Sequence, residues 1–348
     1  MKRRIKNRLV IYCSCLIIIA GGLGLGILGD KAVNDTPLKQ YFQPSVNLRA
    51  VWDWTDLSKK DPSTWQATAR SLQKRQINSV FIDISSLAHT TDKAAISRFS
   101  DRLTGYIASM QRQNISVYAA AGNTDWSKPD MQQYPLRVAN YVFSYNHNNS
   151  KTPLQGLEFD IESYNQTDFA SSPFFLKDQA LTQYLDLVSK LVTNQQRLIK
   201  EDPNYSRINL GFTIPYWYDN ENGNIESITW HDKTGPTLYH LMDTLNQLPA
   251  TNVVVMAYRN AANGNDGAVA HSRTELAYAQ AKAPHVKVVI GQETTDVQPS
   301  KITFYGHSLA DFSQQINAIS DQANTYGVFG GIAINDVDGY LQIQNKGY

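Results

Sequence analysis

Cysteine is almost missing from this chain. Its 348 residues hold two, Cys13 and Cys15, so neither a disulfide framework nor a zinc-ribbon spacing is available. An excess of one charge is missing too: 32 Lys and Arg stand against 31 Asp and Glu, a formal +1. That balance excludes a polybasic nucleic-acid binder and an acidic solvating tail as descriptions of the whole. Beyond residue 47 there is no G-x-G-x-x-G and no G-x-x-x-x-G-K-[ST], so the usual phosphate-cradling loops are lacking. The seven histidines are scattered, with no H-x-H and no H-E-x-x-H, which argues against a metal-dependent hydrolase. No G-x-S-x-G nucleophile elbow occurs.

One long apolar run is present, at the start. Residues 9–29 (LVIYCSCLIIIAGGLGLGILG) carry no formal charge and contain both cysteines. A helix needs roughly 20 such residues to cross a bilayer core. Lys2, Arg3, Arg4, Lys6 and Arg8 stand directly before it. Basic residues stay on the cytoplasmic side, so the expectation is a single-pass membrane anchor with 1–8 inside and the rest outside. A signal peptide cleaved on secretion is the alternative. Its apolar stretch is normally about 7–15 residues before a small-x-small site, and Gly29-Asp30-Lys31-Ala32 is a poor one. Residues 30–47 are polar, include Pro37 and Pro44, and read as a stalk. The five basic residues of 1–8 leave the remainder with four acids in excess, so the near-zero total hides two compartments.

From residue 48 onward, short apolar runs alternate with longer amphipathic ones. The strand candidates are 48–54, 79–84, 116–121, 156–162, 208–215, 252–258, 287–293 and 330–335. Most are nearly continuous in apolar residues, as a parallel strand buried on both faces should be. Helical patterns span 62–76, 92–113, 135–143, 178–200, 236–248, 273–282 and 309–326. Eight strands alternating with seven helices predict a (β/α)8 barrel over 48–348. A doubly wound sheet is the alternative, but it normally has fewer strands and a glycine-rich first loop, where this chain has Asp56-Leu57-Ser58. Only residues 336–348 follow the last strand, so the eighth helix should be incomplete.

In such barrels the chemistry sits at the C-terminal ends of the strands. The predicted ends carry Asp53, Asp83, Asp125, Trp126, Trp217, Arg259, Glu293 and Asp336. Carboxylates grip sugar hydroxyls, and aromatic faces stack on the apolar faces of sugar rings, so a polysaccharide or oligosaccharide is the expected partner; core filling is the alternative use of the tryptophans. The fourth strand is the most informative. Glu158, Asp160 and Glu162 alternate and so share one face, while Leu157, Phe159 and Ile161 share the other. Three acids inside a barrel are costly without partners or a purpose, and their repulsion should raise at least one pKa, as a general acid at neutral pH requires.

The segment Gln155-Gly156-Leu157-Glu158-Phe159-Asp160-Ile161-Glu162 resembles the D-G-x-D-x-D-x-E signature of the chitinase-like family 18 glycoside hydrolases. Met256-Ala257-Tyr258-Arg259 resembles their M-x-Y-D. The resemblance implies a barrel with the signature on strand four and Glu162 as the acid that protonates the leaving oxygen. It implies that Asp160 orients a substrate N-acetyl group acting as internal nucleophile, that Tyr258 contacts that group, and that no cofactor is needed. Gln155, Glu158 and Arg259 depart from the pattern, which marks a divergent relative. A second mechanism pairs Glu162 as acid/base with Glu293 as nucleophile, if their carboxyls lie about 5–5.5 Å apart. Glu293 is otherwise a partner for Arg259 or another base. A rival reading of another class is a silent barrel that binds carbohydrate or scaffolds polysaccharide assembly.

Overall fold

The computed structural model describes residues 47–166, 174–220 and 227–343. The basic segment 1–8, the anchor 9–29 and the stalk up to residue 46 lie outside the described residues. Among the described residues, no helix is long and apolar enough to cross a membrane.

Among the described residues ten strands form: β1 Leu48–Asp53, β2 Ser79–Asp83, β3 Ser116–Ala121, β4 Gly156–Phe159, β5 Asn209–Pro215, β6 Ile228–Trp230, β7 Lys233–Gly235, β8 Thr251–Met256, β9 Val286–Glu293 and β10 Phe329–Asn335. Eight of them close into a parallel barrel in the order β1-β2-β3-β4-β5-β8-β9-β10, with β10 back against β1. The doubly wound alternative is thereby excluded. β6 and β7 make a small antiparallel hairpin after β5 that the sequence pattern did not foreshadow.

The helices are α1 Trp65–Lys74, α2 Lys93–Gln111, α3 Gln133–Asn148, α4 Phe174–Glu201, α5 Thr237–Leu245, α6 Arg273–Lys282, α7 Leu309–Ala323 and α8 Val337–Gln342. Local chemistry sets their starts. Asp92 caps α2 by accepting from the Ala94 amide at 2.9 Å, and Ser308 caps α7 by accepting from the Asp311 amide at 3.1 Å. The eighth helix exists but is short. Arg75, just past α1, donates to the carbonyls of Tyr340 (2.5 Å), Leu341 (3.1 Å) and Ile343 (3.0 Å) and lies over the Tyr340 ring. The Tyr340 carbonyl also accepts from the Ile343 amide at 3.3 Å, and Arg75 adds side-chain donors where the helix end runs out of backbone ones.

The alternation along each strand builds two cores. Val51, Val80, Ile82, Phe159, Phe212, Val255 and Ile290 face the helices. Trp52, Phe81, Val254 and Val289 plug the lumen, with Ala50, Ala120 and Ala333 giving them room. The Trp52 and Phe81 ring centroids lie 5.3 Å apart. Such a plug makes the barrel a packed core instead of a pore.

Candidate active site

The acids of the fourth strand are where the alternation puts them. β4 itself ends at Phe159, three residues before the predicted end, but the Asp160 amide still donates to the Ala121 carbonyl at 3.0 Å, so the register holds. Glu158 is fully enclosed. It pairs in register with Gly211 of β5, and Gly211 in turn with Asn252 of β8. With no side chain at Gly211, Glu158 reaches across β5: Asn252 Nδ2 donates to Oε2 at 2.8 Å, and the Thr213 hydroxyl donates to Oε1 at 3.1 Å. A Cβ at Gly211 would stand 1.9 Å from Glu158 Oε2. Burial outweighs the two hydrogen bonds and pushes the Glu158 carboxyl up to about 8. The same enclosure, with Glu158 nearby, pushes the Tyr118 hydroxyl up to about 12.

Asp160 comes next along the strand. Its Oδ1 is buried and receives no hydrogen bond. Burial and then the neighbouring Glu162 push its carboxyl up to about 7. Gly122 of the β3 loop permits this approach: a Cβ there would meet the Asp160 carbonyl oxygen at 2.0 Å. The Gly122 amide donates to the Ser85 hydroxyl at 3.1 Å, and Ser85 Oγ donates to Asp83 at 2.6 Å. Asp83, at the end of β2, thus fastens through Ser85 the Gly122 backbone that lies against Asp160; burial raises its own carboxyl.

Glu162 opens the turn after β4 and is half-buried. The Tyr164 hydroxyl donates to its Oε1 at 2.8 Å, and the Asn165 amide donates to its Oε2. Trp217, half-buried after β5, meets the Tyr164 ring edge-on with centroids 5.1 Å apart. Tyr258, at the end of β8, is half-buried. Burial, then the fields of Glu293, Asp160 and Glu162, raise its hydroxyl well above the usual tyrosine range. One tyrosine therefore senses three of the predicted acids, which the barrel has brought to one mouth.

Glu293, at the end of β9, is held by four donors. Its Oε1 accepts from the amides of Thr294 (2.8 Å) and Thr295 (2.6 Å) and from the Thr295 hydroxyl (2.7 Å). Its Oε2 accepts from Asn335 Nδ2 at 2.7 Å, and Asn335 Oδ1 accepts from the Trp54 indole at 2.7 Å. The expected pairing of Glu293 with Arg259 is replaced by another: Arg259 Nε binds Asp266 at 2.7 Å.

Four predicted residues are placed differently. Asp53 lies on the helix side of β1, 1% exposed, pairing with Lys60 at 3.0 Å and accepting from the Tyr106 hydroxyl at 3.1 Å. Its place among cleft residues is corrected: Trp52 and Trp54, not Asp53, have the inward parity. Trp126 is 1% exposed and belongs to the helix-side core, so core filling replaces stacking there. Asp125 makes a surface pair with Lys128 at 2.5 Å. Asp336 caps α8 by accepting from the Gly339 amide at 3.0 Å. Conversely, Tyr164, Asn165, Gly211, Thr213, Asn252 and Asn335 escaped the sequence reading. Gly211 carried a signal, since a glycine inside a strand marks a close approach.

No family model and no curated protein matches the chain. Solved structures do resemble it. A family GH18 chitinase from Cycas revoluta, solved in complex with allosamidin, aligns with a TM-score of 0.50 at 11% identity. It covers 84% of this chain and 95% of that one. A β-glucosidase from Thermotoga maritima, in complex with galacto-hydroximolactam, aligns at 0.50 and 9%, covering 78% and 76%. A GH18 chitinase from Pseudoalteromonas aurantia aligns at 0.49 and 14%, covering 85% and 99%. At such identities the two alignments at 0.50 show a shared (β/α)8 barrel, a relationship at the level of fold.

Proposed function

We propose that the chain is a glycoside hydrolase with Glu162 as its general acid, acting on a cell-wall or secreted polysaccharide. The observation that supports this most is the acid column on β4. Asp160 is buried, lacks a donor at Oδ1, and is pushed up to about 7 directly beside Glu162. A proton kept near neutral pH directly beside Glu162 is a reserve from which an acid at that position can be supplied. Glu162 protonates the glycosidic oxygen, and Tyr164 and Asn165 fix its two oxygens for that step. Asp160 accepts from the N–H of a substrate N-acetyl group, whose carbonyl oxygen attacks the anomeric carbon as the leaving sugar departs. Tyr258 donates to that same group. Water then opens the intermediate, returning the proton through Glu162. Glu158 stays below, holding Asp160 in a site of low polarity. Glu293 is only 4% exposed and takes three donors on Oε1 and a fourth on Oε2, where the half-buried Glu162 takes one on each oxygen, so we assign Glu293 to hold Asn335 and Trp54 in place, not to attack.

The chain is placed, on this reading, as a single-pass protein with its barrel outside the cell. The uncharged stretch 9–29 behind five basic residues supports that topology. Protease added to intact cells should remove the barrel and spare the first residues; full protection overturns it. For activity, the purified chain and Glu162→Gln are incubated with wall polysaccharides and N-acetylated oligosaccharides. Wild type should release reducing ends and the variant should not. Binding without release by either protein would make this a silent carbohydrate-binding barrel.

A further inference from the structure

Beside the acidic mouth stands a cluster of cations that this mechanism leaves unused. It is built from two loops, one after β8 and one after β9. Arg259 Nε, His271 Nε2 and Lys301 Nζ all converge on the Asp266 carboxylate, at 2.7, 2.8 and 2.6 Å. Asp266 is a loop-tip residue, half exposed, and three donors hold its carboxyl far below the usual range. Arg259 is always charged, and Lys301 brings a second basic group. They stand against one carboxylate, and His271 adds a third charge whenever it is protonated. An excess of positive charge therefore remains at the rim.

The cluster is tied to the reaction centre at two points. Arg259 follows Tyr258 directly in the chain and donates through Nη1 to the Tyr258 carbonyl at 2.8 Å. Its guanidinium also lies 5.5 Å from the Tyr216 ring, which packs at a tilt against His271 with centroids 4.3 Å apart. Tyr216 precedes Trp217, which packs on the Tyr164 that holds Glu162. The guanidinium is thus fixed by packing and hydrogen bonds at the edge of the mouth. Tyr305, 51% exposed, is on the same loop as Lys301. A fixed arginine flanked by an exposed lysine and a histidine matches a planar anion well, and a carboxylate already occupies it.

We propose that this rim binds an anionic substituent of the glycan, a carboxylate or a phosphate, on a sugar close to the scissile bond. The inference rests on the glycosidase reading for its substrate but not for its binding chemistry. Asp266 marks where an anion sits, and the substrate group joins or displaces it. The substrate class is then an acidic glycan, in place of the neutral chains that an acid-lined mouth alone would take.

The test uses matched pairs of probes: hyaluronan and peptide-free muramic-acid glycan, each with its carboxyl-reduced form, and polyglycerol phosphate for the phosphate arm. Binding is read by calorimetry on the full chain, and cleavage by reducing-end release. Wild type should prefer at least one acidic probe over its neutral counterpart by about tenfold or more, as charge-assisted contacts give. The preference should shrink with added salt. Lys301→Gln, at an exposed position that the fold does not depend on, should move the acidic-to-neutral ratio toward one. Asp266→Asn should raise the ratio. Retention of the carboxylated probes or of polyglycerol phosphate tells which anion is read. Equal binding of acidic and neutral forms, a ratio indifferent to Lys301→Gln, or no binding to any anionic probe overturns the proposal. Selective binding without cleavage sinks the glycosidase reading and leaves this one standing.

Discussion

The ends of β4 and β9 both place carboxylates in the barrel mouth, and they are supplied with donors very unequally. Glu293 on β9 receives four. Asp160 after β4 receives none at Oδ1, and the two donors to Glu158 do not offset its burial. Donors favour the charged form, and burial without donors favours the neutral one. The β4 side therefore holds protons near neutral pH, while the β9 side works as a fastening. Counting acids at strand ends does not separate these jobs. Weighing the donors that reach them against their burial does, with Glu162 between the extremes: half-buried, it takes one donor on each oxygen.

Four experiments would break or sharpen that contrast. The largest expected effect is on catalysis: Glu162→Gln should lower kcat by about 10²–10⁴-fold, the usual worth of a general acid, with the thermal midpoint nearly unchanged. If Glu293→Gln is equally inactive, the contrast between the strands fails. Next, Glu293→Ala should cost about 3 kcal/mol in urea unfolding, because the donors of Thr294, Thr295 and Asn335 lose their acceptor together. Third, Gly211→Ala should cost about 2 kcal/mol, since its Cβ would collide with Glu158 Oε2 and with the Asn252 amide. A neutral result would mean that Glu158 is free to leave the layer.

The smallest effect concerns pH. Glu158 titrates at about 8 in the fold against an ordinary 4.5. Between those values the folded chain keeps a proton that the unfolded chain releases. Its contribution to stability is present in full below about 4.5 and is lost as pH rises to about 8. Each tenfold difference in proton affinity carries about 1.4 kcal/mol. Replacing the acid by Glu158→Gln should flatten the fall in unfolding free energy between pH 5 and pH 8 by at least about 1.4 kcal/mol. An unchanged slope would show that Glu158 is not the proton store.

Much of the barrel was legible because buried parallel strands write themselves as apolar runs. The strand at Ser116–Ala121 and the helix at Arg273–Lys282 agree with their predicted limits. The β4 acids were legible because large apolar residues alternate with them and can only face the helices. β1 gave no such cue. Leu48, Ala50, Trp52 and Trp54 share one parity, but Val51 sits with Arg49 and Asp53 on the other, so neither face reads as the solvent one and the strand-end position alone suggests a cleft role for Asp53. Its partners, Lys60 and Tyr106, come from a loop and from α2, which periodicity cannot pair with it. The Glu158–Gly211–Asn252 layer was invisible for a related reason: it is a property of register across three strands, and no single strand carries it. The cationic rim joins the loops after the neighbouring strands β8 and β9, and periodicity does not show which of their side chains meet, nor how the barrel closes.

Arg75 gives that closure a further meaning. It belongs to the first strand-and-helix unit, and the three carbonyls it binds belong to the last. β1 is synthesised first, yet one of its neighbours, β10, is the last strand to be made. Until then both edges of the growing sheet are open templates for any other strand. Arg75 acts as a lock on the seam, turning an arc of strands into a ring only when the final unit arrives. Such a barrel is vulnerable during translation more than afterwards, and a substitution at Arg75 should show in the yield of soluble protein before it shows in the activity of what has folded.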